Sequence, residues 1–181
     1  MKLGELHPDL DDIDRQILAL MQENCRLPLA KIGEHVGLSA PSVMERVKKL
    51  EDSGIITGYR AIVNARLLGN DITAFIGVST GQPHAIEQFE REIDAFEDVL
   101  ECHHVTGTHT LMLKAKTRNT SSLEELIRRI RSIDGVVRTE TMVVLSTHTE
   151  RVTVPVEEAR PVPKRGGRRG AEKALHLKGV S

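Results

Sequence analysis

The stretch from residue 29 to 50 constrains the fold more than any other, because its apolar residues form two helical stripes on either side of a short turn. Gly37 suits a left-handed end of the first helix, and Ser39 can cap the second helix with its hydroxyl. Pro41 suits the first turn of that second helix, and Gly33 is small enough to let the two helices cross closely. The pattern predicts a helix-turn-helix. The stripes are Leu29, Ile32 and Val36, then Val43, Val47 and Leu50.

The second of these helices leaves an outer face free. At about 100° of rotation per residue its apolar stripe turns inward, so its short polar residues and lysines turn outward. Ser42 and Glu45 can hydrogen-bond to base edges, whereas Lys48 and Lys49 suit phosphates. We therefore predict binding to double-stranded DNA; the alternative is a solvated helix pair in another all-α domain. The predicted DNA-binding residues are Ser39, Pro41, Ser42, Glu45, Arg46, Lys48 and Lys49.

The N-terminal region is not broadly basic. Residues 1–64 carry 8 basic and 10 acidic side chains, so positive charge is local to the predicted second helix. A domain of this kind binds non-specific DNA weakly, and several linked copies would raise the affinity. The charge pattern therefore favours a homo-oligomer.

Composition disfavours several classes of protein. The chain has one Tyr, three Phe and no Trp, which argues against stacking single-stranded bases on aromatic side chains. No apolar run approaches the roughly 20 residues that span a bilayer, and the first residues lack a signal-peptide core. Cys25 and Cys102 are far apart and form no CxxC pair or disulfide framework. We expect a cytoplasmic protein with no membrane partner and no cofactor.

The region from residue 72 to 147 alternates between strand and helix patterns in the order β-α-β-β-α-β, which is the ferredoxin-like arrangement. Its two helices would cover one sheet face and leave a half-apolar face, which suggests sheet-to-sheet dimerisation. Upstream, a strand over 55–63 is predicted to leave the DNA-binding domain. The further predicted elements are strand 72–79, helix 86–96, strands 99–105 and 110–116, helix 123–130 and strand 136–147. The half-apolar face is predicted to hold Phe75, Met112, Val136, Met142 and Val144.

Two stretches resemble the Lrp/AsnC (feast/famine) family of transcription regulators. The first is residues 10–59, LDDIDRQILALMQENCRLPLAKIGEHVGLSAPSVMERVKKLEDSGIITGY, which is similar to the family's N-terminal domain. The second is residues 101–116, ECHHVTGTHTLMLKAK, which resembles a turn in its effector domain, the RAM domain. The resemblance implies a regulator and not an enzyme. It also implies homodimers that exchange the linker strand, octamers or related oligomers, and an amino-acid effector held between RAM domains.

We therefore predict an α+β chain, with a winged-type helix-turn-helix domain followed by a ferredoxin-like βαββαβ (RAM) domain. DNA binding is assigned to residues 1–54, a β linker to 55–71, and effector binding with dimerisation to 72–150. Residues 151–181 are expected to form a flexible, Pro/Gly-rich basic tail with an auxiliary electrostatic role on DNA, or else a solvated tail with no specific role. The basic residues of the tail include Lys164, Arg165, Arg168 and Arg169.

The effector turn departs from the family pattern. The family usually has serine–glycine–aspartate and a second aspartate two residues later, but here both acidic positions are threonines, Thr108 and Thr110. A threonine offers an ammonium group only a weaker, neutral hydrogen bond. The protein therefore binds a different effector, holds the ammonium with backbone carbonyls, or has lost the response. The candidate effector residues are His104, Thr106, Gly107, Thr108, Thr110 and Met142, with Thr141 beside them.

Two rival functions are less well supported. A metal-responsive regulator could use the cluster of Cys102, His103, His104 and His109, but neighbouring residues of a strand face opposite ways, so no three converge simply. An amino-acid enzyme or its regulatory subunit would need a catalytic constellation, and the sequence shows neither a paired nucleophile and base nor a Gly-rich phosphate loop.

Overall fold

The computed structural model describes residues 10–82 and 85–156. Contacts divide the chain into two compact units. The helical unit comprises the described residues up to Tyr59 together with 151–156, and the sheet unit comprises the described residues of Arg60–Glu150. Along these described stretches, no helix is both long and apolar enough to cross a membrane.

The helical unit is a three-helix domain built on the predicted helix-turn-helix. Helix α1 spans Asp12–Glu23, α2 spans Leu29–Val36 and α3 spans Ala40–Asp52. A reciprocal capping box starts α1: the Asp11 carboxylate accepts from the Asp14 N–H at 2.8 Å, and the Asp14 carboxylate accepts from the Asp11 N–H at 3.3 Å. The predicted inward stripes meet α1 in one core. Its buried members are Ile17, Leu18, Ile32, Val43, Val47 and Leu50.

The turn between α2 and α3 has the geometry that its sequence predicts. Gly37 has φ +73°, the left-handed conformation that ends a helix, and Ser39 caps α3 by accepting from the Ser42 N–H at 3.4 Å. Gly33 is needed because the turn folds back onto α2. A Cβ at Gly33 would lie 2.4 Å from the carbonyl oxygen of Leu38, so the close approach is to the turn's backbone.

The sheet unit has the predicted βαββαβ order and one four-stranded sheet. The strands lie in the order β2-β3-β1-β4, and every neighbouring pair is antiparallel. This is the ferredoxin-like arrangement. The strands are β1 Ile72–Thr80, β2 Val99–His104, β3 Leu111–Thr117 and β4 Val136–Val143, and the helices are α4 Ala85–Ile93 and α5 Thr120–Arg131.

Both helices pack on the same face of the sheet. On that face, the alternate residues of β1 and β3 are buried against apolar residues of α4 and α5. The opposite face, here called the open face, carries Phe75, Met112 and Met142, of which Phe75 is 38% and Met142 45% exposed. The prediction for Val136 is wrong, because a register shift at Ser79/Thr80 turns Val136 toward the helix-covered core. The core includes Ala74, Ile76, Val78, Phe89, Leu111, Leu113, Leu126 and Ile130.

Two predicted strands differ from the structure. Residues 55–71 hold no strand; their ordered element is a short 3₁₀ helix at Ala65–Leu68. An apolar, β-rich run becomes a strand only where a partner offers its backbone groups, and no described segment of this chain pairs with it. Strand β4 ends at Val143 instead of 147, although the Val144 N–H still donates to the Thr73 carbonyl at 2.8 Å. The basic residues predicted for the tail lie outside the described residues.

Candidate nucleic-acid interface and effector turn

Helix α3 directs its polar residues away from the helical core. Glu45, Lys48 and Lys49 are exposed and Ser42 is half-buried, whereas Val43, Val47 and Leu50 are buried. Ser42 also shares a hydrogen bond with Ser39, since their hydroxyl oxygens lie 2.9 Å apart. The outer face of α3 therefore offers a carboxylate, two ammonium groups and a hydroxyl pair to a ligand.

Sequence reasoning missed Met44, a large apolar side chain that is 58% exposed on the edge of this face. An exposed apolar group beside polar ones can contact the methyl group of a thymine. The sequence does contain a signal for Met44. It lies outside the apolar stripe of α3, whose other large apolar residues face the core.

Arg46 is committed to ion pairs within the helical unit. Its Nη1 lies 2.7 Å from Asp11 Oδ2 and 2.7 Å from Asp14 Oδ1, and Asp14 is only 3% exposed. Burial alone would raise the pKa of Asp11, but hydrogen bonds from the Asp14 N–H and from Arg46 outweigh it and lower that pKa. This geometry favours a structural role for Arg46, which ties α3 to the start of α1.

The two lysines of α3 are more available than Arg46. Lys48 Nζ lies 3.1 Å from Asp52 Oδ2 one turn later, but both side chains are largely exposed. Exposed pairs at this spacing contribute only about 0.3–0.5 kcal/mol, so a phosphate can compete with Asp52. Among the described residues, Lys49 has no salt-bridge partner within 4.0 Å.

The turn between β2 and β3 holds four of the candidate effector residues. Three of them are exposed, and the fourth is hydrogen-bonded to β1. Thr106, Gly107 and Thr108 are exposed, and Gly107 has φ +116°. Thr110 is instead fastened to β1: its N–H donates to the Val78 carbonyl at 2.9 Å, and its hydroxyl accepts from the Thr80 N–H at 3.3 Å. Only the exposed side of the turn is free to meet a ligand within one copy of the chain.

The other two effector candidates do not converge with the turn. The cross-strand partner of His104 is Leu111, on the helix-covered face, whereas the partner of Met142 is Phe75, on the open face. Within one chain, the two side chains therefore face opposite sides of the sheet. The sheet unit also has an open cavity of about 720 Å³ at the far end of β3, lined by residues of the linker and by Thr73, Lys116 and Glu150, and none of the candidates lines it.

His109, which the sequence suggests only as a rival metal ligand, packs against strand β1 in the structure. Its ring lies over Gly77, where an added Cβ would come within 2.5 Å of His109 Cδ2. The side chain is 12% exposed, its Nε2 is 3.6 Å from Glu140 Oε2, and its buried Nδ1 has no hydrogen-bond partner among the described residues. A glycine in the middle of strand β1 is the available signal, because such a glycine often marks a close approach.

The cysteine and histidine cluster does not form a metal site in this geometry. Cys102 and His104 pair with Leu113 and Leu111 on the helix-covered face, while His103 pairs with Met112 on the open face. Burial and then the nearby carboxylates of Glu90 and Asp94 raise the pKa of Cys102, which disfavours the thiolate that metals bind. Within residues 10–82 and 85–156, no group of three or more His, Cys, Asp or Glu could hold a metal ion.

Comparisons with known proteins match both units. Residues 10–51 match the AsnC-type helix-turn-helix domain, and residues 73–154 match the Lrp/AsnC ligand binding domain. The HTH-type transcriptional regulator FL11 of Pyrococcus abyssi is 34% identical over 148 residues, which are 82% of this chain and 97% of that protein.

Two solved structures are similar over the same part of the chain. AsnC from E. coli superposes with a TM-score of 0.77 at 30% identity, covering 82% of this chain and all of that one. A transcriptional regulator of Neisseria meningitidis, solved in complex with L-Met, gives a TM-score of 0.79 at 29% identity, covering 82% and 98% of the two chains.

Proposed function

This chain belongs to the Lrp/AsnC family of transcriptional regulators, and we propose that it reads a specific double-stranded DNA sequence through α3, under control of an amino acid bound by its sheet unit. The observation that carries the proposal is the helix-turn-helix: Gly37 and Ser39 set the turn, and the polar face of α3 remains exposed. Because its partner is DNA, we also propose that the protein works in the cytoplasm.

The side chains of α3 are proposed to contact different parts of the DNA, according to their chemistry. Ser42 and Glu45 contact base edges. A hydroxyl can either donate a hydrogen bond to a base or accept one from it, and a carboxylate accepts from the amino group of cytosine. Lys48 and Lys49 contact phosphates, and Ser39 and Pro41 hold the start of the helix. Arg46 serves the interface indirectly, through its ion pairs with α1.

Selection of binding sites from random duplex DNA tests the proposal directly. The full chain should enrich a common sequence with two-fold symmetry, because paired recognition helices bind paired half-sites. Glu45→Ala should relax preference at one position, where a good contact contributes about 1–3 kcal/mol of discrimination. Lys49→Ala should weaken binding to every sequence alike and lower the salt slope by about 0.9. Lys31→Ala on α2 is the control, and enrichment of no sequence would contradict specific recognition.

We propose that the functional assembly is a homodimer that associates further, to an octamer or a related oligomer. Support comes from apolar side chains left exposed on the single chain, on the open face and in the linker between the two units. Ile62 is 80% and Leu67 84% exposed, and such residues are expected to be covered by a second copy. The proposed domain roles are DNA binding by 1–54, linkage by 55–71, and effector binding with dimerisation by 72–150.

An amino acid is the proposed effector because a similar regulator was solved with L-Met. The exposed turn residues Thr106, Gly107 and Thr108 are the proposed first contacts, with His104, Thr110 and Met142 completing the site when copies assemble. Since Thr108 and Thr110 replace carboxylates, backbone carbonyls would hold the ammonium group.

A thermal-shift screen of the twenty amino acids and of Zn²⁺, Ni²⁺ and Co²⁺ tests the effector. A ligand present at about 100 times its dissociation constant adds roughly 2.7 kcal/mol of stability. Gly107→Val should abolish the shift, because φ +116° strains a β-branched residue. A shift with a metal alone would contradict the amino-acid proposal, and so would a shift that Gly107→Val leaves unchanged.

A further inference from the structure

The open cavity of the sheet unit is lined by charged side chains from four separate segments. Its volume is about 720 Å³, which lies within the range of about 300–1,000 Å³ that small-molecule sites occupy. The charged residues that line it are Arg66 in the linker, Asp71 just before β1, Lys116 on β3 and Glu150 after β4. A cavity of this size and lining suits a small charged molecule.

Hydrogen bonds within the sheet unit hold the walls of the cavity in place. The Asn64 side chain accepts from the Arg66 N–H at 3.1 Å, which starts the 3₁₀ helix that carries Arg66. The Val144 N–H donates to the Thr73 carbonyl at 2.8 Å, which joins the segment after β4 to β1. Lys116 is the cross-strand partner of Thr73. The charged residues therefore belong to ordered elements of one unit.

Only one of the two acidic side chains in the cavity has a close cation. Lys114 Nζ lies 2.6 Å from Glu150 Oε1, and this hydrogen bond lowers the pKa of Glu150. Lys116 Nζ is farther from the same carboxylate, at 3.9 Å from Oε2. Among the described residues, neither Arg66 nor Asp71 has a salt-bridge partner within 4.0 Å. The cavity thus offers a ligand two available cations and one available carboxylate.

We propose that the cavity binds an acidic amino acid, with Lys116 and Arg66 holding its two carboxylates and Asp71 holding its ammonium group. These three side chains match the charges of aspartate or glutamate, and charge-assisted hydrogen bonds are the strong ones. Asp71 precedes Thr73, the partner of Lys116, by two residues, about 6–7 Å along extended backbone. Side chains at these positions can bracket the adjacent α-ammonium and α-carboxylate groups, which leaves Arg66 for the side-chain carboxylate.

The cavity is separate from the turn proposed to bind the effector. Thr106, Gly107 and Thr108 connect β2 to β3, whereas Lys116 lies near the other end of β3. Binding in the cavity therefore goes beyond the proposed function, and either site can be wrong without the other.

Isothermal titration calorimetry of the full chain with L-Glu, L-Asp, L-Gln and L-Met tests the site. L-Glu or L-Asp should bind more tightly than L-Gln, because only the acidic amino acids supply a second carboxylate. Lys116→Met should weaken that binding about tenfold or more, the loss expected for a hydrogen bond between charged groups. Arg118→Met is the matched control and should leave the affinity unchanged, because Arg118 is exposed and does not line the cavity.

Arg66→Gln gives an independent test at an exposed position. It should abolish the preference for L-Glu over L-Gln and leave the affinity for L-Gln unchanged, since L-Gln lacks the carboxylate assigned to Arg66. Equal weakening of both ligands would overturn that assignment. Circular dichroism checks that each variant is folded, and the Arg66→Gln comparison stands even if Lys116→Met does not fold.

Several results would contradict the cavity site. One is a full chain that binds neither L-Glu nor L-Asp; if it binds L-Met, and Gly107→Val abolishes that binding, the effector turn is supported and only the cavity site is wrong. Acidic amino-acid binding that is lost in Gly107→Val but kept in Lys116→Met would place the ligand at the turn. A Lys116→Met protein with unchanged ligand affinity but altered sedimentation would mean that a second copy fills the cavity.

Discussion

At the scale of single residues, the helix-turn-helix depends on a missing methyl group at Gly33. The Leu38 carbonyl oxygen occupies the space that a side chain would need. Gly37, four residues later, has a left-handed backbone but open space around it, so the two glycines are required for different reasons. The pair offers a matched comparison of steric and backbone effects.

Gly33→Ala should destabilise the protein by about 1–3 kcal/mol, because backbone must move to accept the methyl group. Gly37→Ala should cost about 1 kcal/mol, since only its left-handed conformation is unfavourable for alanine. Chemical denaturation followed by circular dichroism measures both. Equal losses of stability in the two variants would mean that the Leu38 carbonyl moves away at little cost. In that case Gly33→Ala should also leave sequence-selective DNA binding unchanged.

Arg46 shows how a residue with the right charge for DNA can also serve the fold. Its place beside the outer face of α3 predicts a DNA contact, and nothing in the sequence indicates that two carboxylates 35 and 32 residues upstream approach it. Such long-range ion pairs depend on how the helices pack. Helical periodicity therefore cannot distinguish a cation that binds phosphate from one that joins two helices.

Arg46→Met should lower stability at pH 7 by about 1–3 kcal/mol, because it leaves the buried carboxylate of Asp14 without its partner. The pKa of Asp11 is lowered in the folded protein, so its contribution is fully present above its ordinary value of 3.8 and is lost as pH falls through the lower folded pKa. The difference between the two proteins should therefore shrink in acid. Denaturation curves from pH 7 down to about pH 2.5 would show it; Lys48→Met, at an exposed pair, should change little.

At the scale of elements, the helices of the helical unit are easier to predict than the linker segment and the start of β4. Each helix of the helical unit buries a stripe within one chain, so its pattern is complete in the sequence. The segment 55–63 has a strand-like composition, but no described part of the chain supplies its backbone partner. Alternation predicts the wrong face for Val136, because a bulge at Ser79/Thr80 shifts the register and alternation cannot reveal a bulge.

The same limit applies to the candidate site. The outer face of α3 follows from helical rotation alone, so the exposure of Glu45, Lys48 and Lys49 is predictable from the sequence. The effector residues depend on which sheet face and which copy each side chain meets. The packing of the His109 ring over Gly77 of β1 is equally hard to predict, because it depends on how the β2–β3 turn folds back onto the sheet.

Gly77→Ala should displace the His109 ring from the open face and cost about 1–3 kcal/mol. His109→Ala in the Gly77→Ala background should restore part of that loss, because the clashing atoms are removed. A double-mutant cycle by thermal denaturation measures the coupling. Additive effects would mean that the methyl group strains something other than the histidine ring.

At the scale of the whole molecule, the exposed apolar residues of the open face call for a partner surface. Phe75 and Met142 are cross-strand neighbours on β1 and β4, so one charge placed there would sit in the middle of the proposed interface. The helix-covered face is already filled by α4 and α5 and needs no partner.

Phe75→Glu should shift the protein toward smaller species in sedimentation velocity, because a carboxylate would be desolvated between two sheets. Ser121→Glu, which adds the same charge on the exposed first turn of α5, should leave the distribution unchanged. A Phe75→Glu protein with an unaltered assembly would move the interface away from the open face.

The return of the chain to the helical unit at residues 151–156 has a consequence for how the protein is made. The helical unit is discontinuous: residues up to Tyr59 leave the ribosome first, and residues 151–156 emerge after the whole sheet unit. In that later segment Val154 hydrogen-bonds to the Gln22 side chain, and Val156 packs against the core. At about 5–20 residues per second, the roughly 90 intervening residues delay that closure by about 5–20 s. A nascent chain therefore carries α3 before it carries the residues that rejoin the helical unit and pack against its core.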